Sequence, residues 1–327
     1  MVNPKNPQWP ELPVSAWADT RATLQLWTQI VGKVRLMQTP WLNHSWHVAL
    51  YVSTKGLTTS PIPHGARSFE IEFNFLEHTL DITLSDGNTR RLPLRPQSVA
   101  DFYAVVMTAL ADLGVPVAIN EHPCEIANCI PFSQDRTHAA YDPNYAHRFW
   151  QVLLQTDRVL KRFRTGFLGK CSPVHFFWGS FDITVTRFSG RRAPTYPGTA
   201  PGVTAAVMQE AYSHEESSAG FWPGGNGIDY PAFYSYAYPS SARFGEIAVQ
   251  PAGAFFSAQL GEFLLPYEAV RTAADPDAAL LAFLQSTYEA AAVSADWDRA
   301  ALECPRGVPG VPRLPQGIDF HGQSAYT

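Results

Sequence analysis

Two histidines, a few carboxylates and a pair of arginines are the residues of this chain whose spacing could support chemistry. The segment VHFFWGSFDITVTRF (174–188) reads as a β-hairpin closed by a two-residue Gly-Ser turn of type II′. That register sets Trp178 opposite Phe181, Phe177 opposite Asp182 and His175 opposite Thr184. One face then carries Val174, Phe176, Trp178, Phe181, Ile183 and Val185, all apolar, and the other carries His175, Phe177, Asp182 and Thr184. His175 and Asp182 become diagonal neighbours at ~7–8 Å, a gap that a metal, a water or a ligand can bridge. A slip of one residue would invert both faces, so the expectation is sharp.

A second cluster, Ser213-His214-Glu215-Glu216, is followed by Phe221, Trp222 and two glycines. An imidazole with adjacent carboxylates on a flexible segment could complete a site begun on the hairpin. His175 and His214 with one carboxylate would suit Fe(II), Mn(II) or Zn(II) and leave positions open for substrate. Alternatively His175, with Asp182 or Glu215, serves as general acid and base. Arg187 or Arg191 would neutralise an anionic group, and Trp222 would close over the bound molecule. The first half offers Asn43-His44 and His47, and His47 could face the same cleft as His175. Plainer readings stand beside each of these. A strand histidine is commonly satisfied by a backbone carbonyl, Asp182 could pair with Arg187 or Arg191, and the HEE run could be an exposed loop. Trp27 and Trp178 fall on apolar faces and read as core. Cys171 precedes His175 by four residues with Lys170 beside it, but four extended residues span ~13 Å, so a thiol–imidazole pair needs Ser172-Pro173 to turn the chain back.

Several common chemistries are disfavoured. GFLGKCS departs from a phosphate-binding loop in its upstream glycine and in the cysteine after lysine. No strand leads into Gly-x-Gly-x-x-Gly, and neither a Gly-x-Ser-x-Gly elbow nor a His-Glu-x-x-His helix is present. Four cysteines in 327 residues make no disulfide framework, and the Cys124–Cys129 spacing lacks a second pair for zinc.

These residues need elements to position them. A helix over 15–37 is predicted behind a Ser15 cap, with Trp17, Leu24, Trp27, Val31 and Val34 at helical spacing. A second starts at Ser98 with Asp101 three residues on and stops at Gly114. A third opens Asp142-Pro143 and ends in Lys161, Arg162 and Arg164, and a fourth opens Asp275-Pro276 and runs to about 293. Between the first two, apolar residues alternate along 47–52, 69–75 and 79–84, which predicts half-buried antiparallel strands. The second half repeats helix, strands, helix. HVALYVSTKGLTTSPIP lies over HFFWGSFDITVTRFSG without a gap, and this echo suggests duplication. The expected organisation is an N-terminal half (1–135), a C-terminal half (136–305) and an extended tail (306–327). An aromatic, Gly/Pro-rich insertion at 191–262 would serve as a lid or binding loop.

Composition bounds the partners. The chain is 46% hydrophobic and 13% aromatic, enough for a large core, and its net charge of −5 with no long basic run argues against nucleic acid. The polar, proline-rich start MVNPKNPQWPELP lacks the apolar core of a signal peptide, and no segment reaches the ~18 apolar residues of a membrane span. A cytoplasmic location is expected.

The blocks WPELP (9–13), LWTQIVGKVRL (26–36), LTTSPIPHGARSFEIEF (57–73), SVADFY (98–103), GKCSPVHFFWGSFDITVTRFSGR (169–191), AYSHEESSAGFWPGG (211–225) and GEFLLPYEAVRTA (261–273) resemble a bacterial family known only as a domain of unknown function. The resemblance spans nearly the whole chain and implies one homology unit with inseparable halves. It implies no activity, substrate or cofactor. Cys171, His175, Asp182, His214 and Glu215 fall inside the blocks, whereas Cys124 and Cys129 do not.

The resulting expectation is an α+β protein of two pseudo-repeated halves, with antiparallel sheets flanked by four main helices. It would be an enzyme acting on a small organic molecule in a cleft between the halves, possessing a divalent metal or a histidine acid/base. The alternative is a non-catalytic small-molecule binding protein with an aromatic pocket. A third reading is a partner-binding protein that exposes the aromatic stretch as a flat patch. Polar groups converging at the base of a pocket would favour the enzyme.

Overall fold

Helical and alternating periodicities both materialise in the computed structural model, which describes residues 8–225 and 228–313. Helix α1 (Val14–Gln38) starts one residue before the predicted cap, behind Pro13, and its stretch 23–35 is buried on every side. Polar side chains there are satisfied by neighbouring backbone: Gln25 donates to the Gly179 carbonyl at 2.8 Å, Gln29 pairs with the Cys124 N–H and C=O at 2.9 Å each, and Lys33 donates to His122 at 2.8 Å. The helix is therefore a hub rather than a surface element.

Six antiparallel strands follow: β1 (Tyr51–Val52), β2 (Gly56–Thr58), β3 (Ile62–His64), β4 (Arg67–Asn74), β5 (Thr79–Leu84) and β6 (Thr89–Pro93). They run in the order β1-β2-β4-β5-β6, with β3 also on β4. Helix α2 (Val99–Asp112) is capped as predicted, Ser98 Oγ accepting the Asp101 N–H at 3.1 Å. Helix α3 (Pro143–Arg164) is capped by Asp142.

The second half then lays down β7 (His175–Phe177), β8 (Asp182–Arg192), the short helix α4 (Ala205–Ala211), β9 (His214–Trp222), β10 (Ala232–Tyr238), β11 (Phe255–Ser257) and β12 (Glu262–Pro266). Helices α5 (Tyr267–Arg271), α6 (Pro276–Ser294) and α7 (Arg299–Leu302) complete it. The second sheet has the order β11-β12-β10-β9-β8-β7. The two sheets meet edge to edge: Leu50 and Phe176 exchange both backbone hydrogen bonds, at 2.8 and 2.7 Å. An α+β architecture with antiparallel sheets is thus established. Among the described residues no helix is long and apolar enough to cross a membrane.

Two expectations are corrected. The 191–262 stretch is not an irregular insertion, because β9 and β10 are central strands of the second sheet. Their alternation is hard to see because the face away from the core is aromatic as well as polar. The hairpin register holds, with His175 opposite Thr184 and Phe177 opposite Asp182. Its turn is different: a four-residue loop, 178–181, in which the Phe181 N–H returns to the Phe177 carbonyl at 2.8 Å and Phe181 takes φ +64. Trp178 consequently leaves the face of Phe176 and Ile183 and packs against α1. Gly32 makes that possible, since a Cβ there would lie 2.2–2.4 Å from the indole. The indole N–H donates to the Val48 carbonyl at 2.8 Å.

Candidate functional site

Register alone assembles a chemical surface on one face of the second sheet. Thr184 pairs with Gly220 and Gly220 with Tyr234; Thr186 pairs with Ser218 and Ser218 with Tyr236. Strand alternation therefore places Asp182, Thr184 and Thr186 of β8 on the same side as Glu216 and Ser218 of β9 and Glu262 of β12. Ile183, Val185, Phe221 and Phe233 point the other way, into the core. The chemical face floors a cavity of about 640 Å³, within the size range of small-molecule sites. Its walls come from α1 (Gln25, Lys33), the 3-10 turn Asn43–Ser45 with Trp46, the segment holding Cys124 and Glu125, and α4.

Helix α4 is tied down at this turn. The Glu210 carboxylate accepts the His44 N–H at 3.0 Å, and His44 Nδ1 donates to the Ala211 carbonyl at 2.6 Å. The Lys170 ammonium donates to His44 Nε2 at 2.6 Å, so these partners select the neutral Nδ1–H tautomer. Burial lowers the His44 pKa in the same sense.

Four carboxylates line the cavity, each from a different segment. Asp182 accepts hydrogen bonds from the Ser180 and Tyr234 hydroxyls. Tyr234 reaches it by lying over Gly220, where a Cβ would sit 2.6 Å from the phenol oxygen and 2.2 Å from the Ile183 carbonyl. Burial raises the Asp182 pKa, and its two hydrogen bonds oppose that rise. Glu216 is 5% exposed, and Tyr236 offers it only a long contact of 3.5 Å. Burial pushes its pKa up to about 8. Glu125 and Glu262 accept no side-chain hydrogen bond among the described residues. Loss of bulk water, then the charge of Asp182, raises each to about 7. Glu125 is exposed to solvent, which moderates its shift. Behind the carboxylates, Ser218 links Thr184 and Thr186 in a hydroxyl chain with gaps of 3.1 and 2.9 Å. Trp46, Phe177, Trp178, Phe188, Tyr212 and Trp222 supply apolar wall.

The expected site residues divide. Asp182 and Trp222 line the cavity. His175 does not: it is 1% exposed under Trp46, Tyr51 and Phe177, and neither ring nitrogen has a partner among the described residues. Burial and then the Arg35 charge lower its pKa to about 3, so it is a neutral imidazole at ordinary pH. His214 pairs with Arg192, eight positions along β8 from the partner of His175, a separation of roughly 25 Å at ~3.3 Å per residue. The two histidines are not brought together. Among the described residues no three His, Cys, Asp or Glu side chains could hold a metal ion. His214 instead lies 5.9 Å from His44, ring centre to ring centre.

Arg187 faces the core, not the cavity. It packs 3.5 Å over Phe163 and 4.4 Å over Tyr288, and donates to the Phe163 carbonyl at 2.6 Å. Glu215 points away from Glu216 and pairs with Arg191 at 2.7 Å. Arg191 in turn donates to the Ala295 and Asp296 carbonyls at the end of α6. His47 is buried against Trp41 and accepts the Leu42 N–H at 3.2 Å. Cys171 is bridged to Arg187 across the sheet edge, and burial raises its thiol pKa. Residue types alone did not single out Glu216, Glu262, Glu125, Tyr234 and Tyr236. A strand reading of HEESSAGFW would have put Glu216 on the side of Trp222 and Glu215 on the other. No comparable local signal marks Glu125 or Glu262.

The chain belongs to a family of unknown function (DUF5996), which matches residues 9–304. No curated protein and no solved structure matches it.

Proposed function

We propose that this protein binds a small organic molecule in the second-sheet cavity and acts on it by general acid–base chemistry, in the cytoplasm. The observation that supports this reading is the convergence of four carboxylates from four segments on one aromatic-walled cavity. Like charges that share a low-dielectric site cannot all ionise, so their proton affinities are driven apart. Asp182, held by two hydroxyl donors, is the candidate base. Glu262, half-buried with its pKa raised to about 7, is the candidate acid, poised near working pH, and the solvent-exposed Glu125 shares its cavity. The hydroxyl chain and Tyr236 orient the bound molecule, and Trp222 packs against it. The four free cysteines fit a reducing compartment. The shared helix–sheet–helix order of the halves supports their origin by duplication.

A thermal-shift screen of small molecules, followed by turnover assays on every hit, tests the reading. Ligands should raise the melting temperature of the wild type, and Asp182→Asn should still bind them while converting them at least 100-fold more slowly. Failure of every compound class to bind would sink it. Binding without turnover would favour a non-catalytic small-molecule receptor, a reading that the aromatic walls support.

A further inference from the structure

Charge accounting around the cavity points to the ligand class. Its lining holds four carboxylates against one ammonium, Lys33, and one imidazole, His44. Lys33 is turned to the His122 carbonyl at 2.8 Å, and His44 is committed to Ala211 and Lys170. Lys170 lies behind His44, 4.8 Å over the Phe188 ring, and acts on Glu216 only through space. Neither cation pairs with a cavity carboxylate. Glu216 is 95% buried, counted from its 5% exposure, and one of its oxygens has no donor among the described residues. Glu125 and Glu262 also have no hydrogen-bonding partner there. A carboxylate buried as Glu216 is, without a full set of donors, is costly unless protonated or supplied with positive charge, and the half-buried Glu262 and solvent-exposed Glu125 add negative charge to the same cavity.

The arrangement does not suit a metal ion, because no three of these groups come close enough together. Glu216, Glu262 and Asp182 lie on three different strands and Glu125 on a fourth segment, and Trp46, Trp178 and Trp222 line the same cavity. Acceptors on separate segments of one aromatic-walled cavity match separated N–H⁺ donors joined by methylene chain. We infer that the cavity takes a protonated organic amine with two or more nitrogens, the nitrogens on the carboxylates and the carbon chain against the aromatic wall. This rests on the reading of the cavity as the ligand site. Binding of such a cation favours the ionised carboxylates, so it should expel protons. The other titratable groups facing them are Cys124, Tyr212, Tyr234 and Tyr236, whose pKa values burial raises; they remain neutral at the pH of the test.

The full chain is titrated calorimetrically with spermidine and putrescine at pH 6.0 and 8.5, in two buffers of different ionisation heat. Choline, hexane-1,6-diol and adipate serve as comparison probes. The amines should bind at least 10-fold more tightly than any comparison probe, at least 10-fold more tightly at pH 8.5 than at pH 6.0, and with protons released to buffer. Glu216→Gln and Glu262→Gln should each weaken spermidine at least 10-fold while circular dichroism stays unchanged. If choline, the diol or adipate binds as well as the amines, the amine assignment is overturned while the cavity stands as a ligand site. If no compound in a broad screen binds, the reading of the cavity falls with it.

Discussion

Glu216 shows how enclosure sets protonation. An ordinary glutamate titrates near 4.5, whereas this one is pushed to about 8, so the native protein holds a proton that the unfolded chain releases. The sign follows from linkage: stability is fully present below about 4.5 and is lost as pH rises through about 8. Glu262 acts in the same direction through about 7, and Glu125, being exposed to solvent, acts more weakly. Between pH 5 and pH 8.5 Glu216 thus contributes a loss of about 1–4 kcal/mol, while the buried neutral His175 contributes a gain of opposite sign. The Glu216 contribution is therefore read by urea unfolding of ligand-free wild type against Glu216→Gln. Glu216→Gln should be more stable than wild type at pH 8.5 and equal to it at pH 5; a difference between the two that does not grow with pH would contradict this. Arg187 poses a different residue-scale question. Among the described residues its guanidinium pairs with no carboxylate, and burial lowers its pKa to about 10, yet three rings surround it. Arg187→Met keeps volume and removes a desolvated charge, so its stability should stay within about 1 kcal/mol of wild type. Arg187→Ala leaves a hole and should lose about 3 kcal/mol or more. Neither should alter ligand affinity, because Arg187 lies on the opposite face of the sheet from the cavity.

At the scale of elements, position matters more than propensity. Alanine is favoured over glycine in a helix by about 1 kcal/mol, which argues for Gly32→Ala. Its Cβ, however, would lie 2.2 Å from the Trp178 indole nitrogen, and overpacking of this kind costs about 1–3 kcal/mol. Steric exclusion wins, so chemical denaturation should show Gly32→Ala to be destabilised, with quenching or shift of tryptophan emission as Trp178 is displaced. A stabilised variant would show that Trp178 does not occupy the groove over α1. The caps were legible from sequence because they are local: Ser98 with Asp101, Asp142-Pro143 and Asp275-Pro276 all cap helices. The hairpin register was legible for the same reason, while its turn was not. Gly179-Ser180 has the composition of a two-residue turn, but packing of Trp178 against α1 and the left-handed Phe181 selects a longer one.

For the molecule as a whole, α1 and the Leu50–Phe176 bridge contact both halves, from which we expect interdependence. Helix α1 precedes the first sheet, yet Gln25 holds the hairpin of the second and Gln29 holds the segment that carries Glu125. The cavity is accordingly built from both halves. Residues 1–135 and 136–327 produced separately should each lack a cooperative thermal transition. A folded second half with an intact transition would refute that interdependence.

What the sequence determined by itself were the features written in near neighbours: helix starts, strand alternation, hairpin register, the α+β class, and Asp182 and Trp222 as site candidates. Only the tertiary structure decided which sheet face becomes a cavity. That depends on α1, the Glu125 segment and α4 closing over it, which are contacts between residues far apart in the chain. For the same reason His175 and Arg187, chemically prominent in the sequence, end in the core. Glu216, Glu262 and Tyr234, unremarkable in isolation, converge because antiparallel register stacks every second residue of adjacent strands on one side.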